Sequence, residues 1–161
     1  MSKIKVADFY YGAVLSMLFN QHINPALVEC NDDRQIYDLT TNHGSSRLYI
    51  KYRASKNKTK NEAYNSWQFV FALNEIDEIK KYMDNNYNLS MALVCGVDGL
   101  SDSEIAVLDK NEIKELMKLG KTSITISRKK NERAYRISTG GGRNSAMQVK
   151  ANRFEDIFTN N

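Results

Sequence analysis

The sequence predicts an α/β fold, a mixed central sheet flanked by helices, on three observations. Apolar residues recur at helical spacing near the N-terminus and in two later segments that carry capping signals. Between them lie several short runs rich in β-branched and aromatic residues, bounded by turn residues. Helices and strands do not alternate strictly, as they would in a βαβα nucleotide-binding chain.

The elements follow in order. Val6, Phe9, Tyr10, Ala13, Val14, Met17 and Leu18 form a helical stripe that should end near Asn20, and Pro25, the only proline, blocks its continuation. Tyr10 and Tyr11 are adjacent, so one is expected to pack and the other to face solvent. ALVEC (26–30) reads as a short strand, followed by strands near 35–41 and 47–54 around a polar Asn-His-Gly-Ser-Ser tip. WQFVF (67–71) is aromatic and β-branched, which suits a buried strand with Trp67 in the core. Asn74 with Asp77 suggests a capping box for a helix that runs through Ile76, Ile79, Tyr82 and Met83. SMALVCGV (90–97) is continuously apolar, as expected of a central strand covered on both faces. IAVL (105–108) reads as a strand, although Ser101 to Glu104 could also cap a helix. Asp109 with Glu112 caps the next helix and Gly120 closes it. SITIS (123–127) and AYRIS (134–138) alternate around a charged turn and form an antiparallel hairpin, and GGGRNS (140–145) is a flexible turn. No linker divides the 161 residues, so one domain is expected over 1–161, with a core at about 5–97 and an extension at about 98–158.

Composition narrows the function. With 42% hydrophobic and 26% charged residues, the chain belongs with globular rather than disordered proteins. No apolar run approaches a membrane span, and MSKIKVADFYYG does not read as a secretory signal, so a cytoplasmic protein without a membrane partner is expected. Cys30 and Cys95 lie far apart without a Cys/His cluster, which speaks against zinc and for reduced, buried thiols. A net charge of +4 permits a nucleic-acid partner. The basic residues concentrate in KYRASKNKTK (51–60) and RKKNERAYR (128–136), and the acids between Glu75 and Glu115. Such runs are more often plain solvated loops than binding surfaces.

The strands around the Asn-His-Gly-Ser-Ser tip permit a register test. Pairing residues whose numbers sum to 89 puts Asp38 opposite Lys51 and separates an apolar from a polar face; a one-residue slip would mix them. A carboxylate beside a lysine suits a Mg²⁺ site, in which the ion lowers the pKa of a water and the lysine orients it. A second carboxylate is wanted, and Glu29 or Asp33 could supply it. The ordinary alternative is a solvent-facing ion pair worth at most about 1 kcal/mol.

The element order, with Asp38 on the second strand and Tyr49-Ile50-Lys51 on the third, resembles the PD-(D/E)XK superfamily, the restriction-endonuclease-like fold. The resemblance implies an α-βββ-α-β core, here followed by a C-terminal helix and β-hairpin. It also implies Asp38 and Lys51 as the catalytic Asp and Lys; with Glu29 as the substitute second acid, the catalytic set is Asp38, Glu29 and Lys51, with Mg²⁺ on Asp38 and Glu29. Tyr49 stands where that family has Glu in its Glu-x-Lys motif, so any cleavage is expected to be weak or absent. LYIKY, SWQFVF, ALVCGVDG, SITISRKK and YRIS together look like a small bacterial domain of no settled function, which implies one integrated unit over 47–138.

His22 and His43 have no nucleophile at a suggestive spacing, and GGGR (140–143) lacks a Walker lysine. The expectation is therefore a protein that binds DNA or RNA, with Lys56, Lys58, Lys60, Arg128, Lys129 and Lys130 on phosphates, and at most weak Mg²⁺-dependent hydrolysis. The alternative is a non-catalytic protein-interaction module, or a homodimeric subunit of a bacterial defence or toxin system.

Overall fold

A computed structural model describes residues 1–58 and 63–160. Helix α1 (Val6–Asn20) starts where the Asp8 carboxylate accepts the Lys5 N–H at 2.8 Å. It stops where His22 turns to φ 59° and Ile23 N–H bonds back to Leu18 O. Strands β1 (Ala26–Cys30), β2 (Gln35–Thr41) and β3 (Gly44–Arg53) follow as an antiparallel meander. The chain then leaves this sheet, lays down β4 (Tyr64–Val70) elsewhere, and returns through α2 (Leu73–Asp84). Strand β5 (Leu89–Cys95) lies parallel to β3, and β6 (Glu104–Leu108) is antiparallel to β5. After α3 (Lys110–Lys118) come β7 (Ser123–Lys129), β8 (Ala134–Ile137), β9 (Met147–Lys150) and the short α4 (Phe154–Ile157).

Two sheets result, a mixed one ordered β1-β2-β3-β5-β6 and an antiparallel one ordered β4-β7-β8-β9. The first is covered on both faces. One face packs on α1 and α4 through Tyr11, Val14, Leu18, Leu48, Ile50, Val94 and Phe154. The other packs on α2, α3 and the inner face of the second sheet, with Trp67, Phe69, Ile126 and Ile137 meeting Met91 and Leu93. All seven residues of β5 are buried, as its unbroken apolar run predicts. Gly96 ends that strand where a side chain would collide with the carbonyls of Arg53 and Ala54 and the hydroxyl of Tyr10. Its own carbonyl accepts the Trp67 indole N–H at 2.8 Å, which ties β4 to the end of β5.

Several expectations needed correction. The α2 cap is Ala72, whose N–H bonds the Glu75 carboxylate, not an Asn74–Asp77 box. Tyr10 and Tyr11 are both buried, because Tyr52 reaches between them, stacked on one ring at 5.0 Å and edge-on to the other at 5.3 Å. Cys30 is exposed, since β1 is an outer strand, while Cys95 is buried. The 123–138 hairpin, the Asp109–Glu112 cap and the strand over 105–108 are as expected. The residues assigned to a hairpin extension belong to a second four-stranded sheet. No helix among the described residues is long and apolar enough to cross a membrane.

Candidate functional site

The β2–β3 hairpin turns through only Asn42 and His43, with Gly44 at φ 96° and paired with Thr41. Paired residue numbers therefore sum to 85, not 89, and Asp38 lies opposite Arg47 rather than Lys51. The physical reason is the turn: two residues close it, so Ser45 and Ser46, expected in the tip, are strand residues. Arg47 donates two bonds to Asp38, at 2.8 and 3.1 Å, and its guanidinium lies 4.2 Å from the Tyr87 ring centroid and 4.8 Å from that of Tyr82. Asp38 is half exposed (50%) in this pair. Lys51 shares its sheet face but sits four residues along, roughly 13 Å away at strand rise.

Lys51 is instead buried, at 6% exposure. Its Nζ donates to Glu75 Oε2 at 2.8 Å and to the Asp33 carbonyl at 3.1 Å, and lies 5.0 Å from the Phe71 ring centroid. Tyr49 donates its hydroxyl to the same Glu75 oxygen at 2.8 Å. Burial, then the bond to Glu75, pushes the Tyr49 hydroxyl far above its usual range. Beside them Arg34 grips Glu78 through two bonds, at 3.1 and 2.8 Å, and reaches Glu29 at 3.1 Å. Burial opposes the Arg34 charge, but the bonds to Glu78 and Glu29 win and raise its pKa. Arg34 Nη1 and the Tyr11 hydroxyl are buried without a hydrogen-bond partner among the described residues.

The three residues implied as catalytic are thus dispersed over three ion pairs: Asp38 with Arg47, Glu29 with Arg34, and Lys51 with Glu75. Among the described residues, no three His, Cys, Asp or Glu gather as metal ligands. Asp38 is held by Arg47, Glu29 shares Arg34 with Glu78, and neither carboxylate is bonded to Lys51, so that donor set does not fit the ion. Asp33, weighed as a substitute, meets Lys51 through its main chain alone. Sequence reasoning missed Glu75, whose signal was an acid three residues into a helix, and Arg34, which follows the Asn-Asp-Asp turn.

The second sheet uses charge differently. None of β4, β7, β8 or β9 contains an acid. Trp67 and Phe69 on β4, and Ile126 on β7, face the core. Period-two alternation therefore turns Tyr64, Ser66 and Gln68, and Thr125, Ser127 and Lys129, outward. The β4–β7 register sets Tyr64 opposite Lys129 and Asn65 opposite Arg128, and bonds from Lys56 to Asn65 and from Asn57 to Ser66 bring part of the other basic stretch to the same end of this sheet. Lys58, Lys129 and Lys130 are exposed there, and exposed Lys56 donates to Asn65 Oδ1 at 3.1 Å. A hollow of about 740 Å³ opens between Lys56, Lys58 and Tyr64, with Asp98 and Asp102 on another wall. Arg128 corrects the expectation: it points to the inner side and donates to Glu104 at 2.5 Å. Lys60 lies outside the described residues.

Compared with protein-family models, with curated proteins and with solved structures, the chain finds no match.

Proposed function

We propose that the protein binds nucleic acid through the outer face and basic end of its second sheet, on a PD-(D/E)XK-like scaffold, without efficient hydrolysis. The observation that carries the reading is that Lys56 and Asn57 bond to Asn65 and Ser66 on β4, which pair with Arg128 and Ser127 on β7, so two basic segments far apart in sequence meet. Lys56, Lys58, Lys129 and Lys130 supply the phosphate contacts, and Tyr64 offers the aromatic face on which a base can stack. The helix, three-strand meander, helix and parallel strand support the implied scaffold, although β4 is inserted before α2 and belongs to the other sheet. Its chemistry is a different matter, because the acids and the lysine it would use are held in separate ion pairs. The test is binding to single- and double-stranded DNA and to RNA over a range of salt. Affinity should fall steeply with salt, and replacing the four lysines by alanine should flatten that slope. No binding even at low salt overturns the reading.

One observation favours a second reading, a protein-interaction module. Strand β1 is a sheet edge, all five of its residues are exposed, and Leu27 and Val28 show 58% and 41% of their surface. An open apolar edge is a template for another strand. Light scattering on the wild type and on Val28→Lys tests it: a dimer that the lysine dissolves supports this reading, and a monomer in both sinks it.

A further inference from the structure

The segment GGGRNS, expected to be a flexible turn, folds across the outer face of the second sheet. Gly140 needs its glycine for φ 110°, and a side chain on Gly141 would strike the Ser145 hydroxyl. The loop holds Arg143 over the sheet. Its guanidinium lies 4.8 Å from the Tyr64 ring centroid, its Nε donates to Ser127 Oγ at 3.1 Å, and its Nη2 donates to Glu132 at 2.8 Å. Arg136 binds the other Glu132 oxygen at 3.0 Å and the Arg143 carbonyl at 2.9 Å. Together they enclose a hollow of about 270 Å³.

The lining of this hollow is rich in donors and poor in acceptors. Arg143 Nη1 and Arg136 Nη2 make no hydrogen bond among the described residues, and neither do the hydroxyls of Thr125 and Ser138. Ser127 accepts from Arg143, and Ser66 accepts from Asn57 at 3.1 Å, so each still has its own proton to give. Two guanidinium groups face one carboxylate, which leaves one positive charge in excess. Partial burial alone would raise the Glu132 carboxyl. The bonds from Arg143, the Lys129 N–H and Arg136 outweigh it and hold the pKa at about 2, so the carboxylate stays charged and keeps both arginines in place.

We infer that this hollow binds a phosphate monoester, the terminal phosphate of a nucleic-acid strand, through Arg136, Arg143 and the hydroxyls of Thr125 and Ser138. A phosphate monoester offers only acceptors near neutral pH, which matches a wall of donors, and charge-assisted bonds to guanidinium are the strong class. The source of the phosphate rests on the nucleic-acid reading, since the hollow adjoins Tyr64 at the basic end of β4 and β7; the anion chemistry does not.

The experiment compares one oligonucleotide with and without a 5′-phosphate, and in parallel titrates inorganic phosphate while following the Gly141, Gly142 and Arg143 amide resonances. The phosphorylated strand should bind about tenfold more tightly. Arg143→Gln should erase that preference. Thr125→Ala with Ser138→Ala, which removes hydroxyls the fold does not use, should reduce it while thermal stability is kept. Replacing Lys56 and Lys58 should weaken both strands equally and leave the ratio unchanged. Equal binding of the two strands with no resonance shift overturns the subsite and leaves the nucleic-acid reading standing. A resonance shift with inorganic phosphate but no binding of either strand keeps the anion site and overturns the nucleic-acid source. No shift and no binding overturns both.

Discussion

The two sheets hold their charges in opposite ways. At the mixed sheet, Lys51, Glu75 and Arg34 are buried, and each is ion-paired with a group on another element. In the antiparallel sheet, the strands carry no acid, and most of their charges stand at one end and on an outer face covered only by the 140–145 loop. Buried, a charge must be matched by hydrogen bonds and holds the fold in register; exposed, it is free to meet a ligand. The same residue types in the same chain thus serve the fold in one place and recognition in another. What separates them is whether a helix covers the face.

The largest effect that would sharpen this contrast is on stability. Glu75→Ala leaves Lys51 charged and buried, and should cost about 3–5 kcal/mol in denaturant unfolding. Replacing Lys51, Tyr49 and Glu75 together by Met, Phe and Leu should cost much less, because no buried charge is stranded. If Glu75→Ala costs under about 1 kcal/mol, the network does not hold the layers together. Next comes the lysine set. Replacing Lys56, Lys58, Lys129 and Lys130 by alanine should change stability by less than about 0.5 kcal/mol, yet reduce the salt slope of nucleic-acid binding by about 0.9 for each phosphate no longer neutralised. A large drop in stability would mean that the second sheet also uses its charges internally.

Acid titration tests Glu132, the acid nearest the open face. Its carboxyl is held at about 2 when folded, against roughly 4.3 when unfolded. The folded state therefore binds fewer protons in this window, and stability from Glu132 is complete above about pH 4.3 and lost as pH falls toward 2. Melting temperatures of wild type and Glu132→Gln should converge over that window, and a constant gap would refute the assignment. The smallest effect is expected at the half-exposed Asp38–Arg47 pair. Asp38→Asn should cost at most about 1 kcal/mol and leave any Mg²⁺-stimulated cleavage unchanged. A loss of cleavage in that variant, with the fold intact, would restore Asp38 to a catalytic role.

Most of the first sheet was legible because its strands alternate cleanly or run continuously apolar. The hairpin register was not. Sums of 85 and 89 differ by an even number, so both keep Leu39, Leu48 and Ile50 on one face and Asp38 and Lys51 on the other. Hydrophobic pattern decides the face and is blind to a shift of four; the turn decides that, and Gly44 was the residue to weigh. Glu75 was hidden for another reason: it reads as a surface acid at a helix start, and only the return of α2 over β3 brings it to Lys51. The β9 strand and the last helix are four residues each, too short for periodicity to speak. The basic stretches were legible as composition, but Arg128 and Lys129 point to opposite sides, which a charge count cannot tell.

The detour of the chain through β4 has a consequence for how the molecule comes into being. On a ribosome, β4 emerges before β5 and β6, but its pairing partner β7 emerges only after both. Val70 must wait for Ser123. The aromatic residues Trp67 and Phe69 therefore have no sheet to join until most of the chain has been made. Neither sheet is a contiguous piece of sequence, so the chain should fold late and in a single cooperative step, with much of its folding time set by these distant pairings. Cutting it between β6 and α3 should yield two fragments, neither of which folds alone.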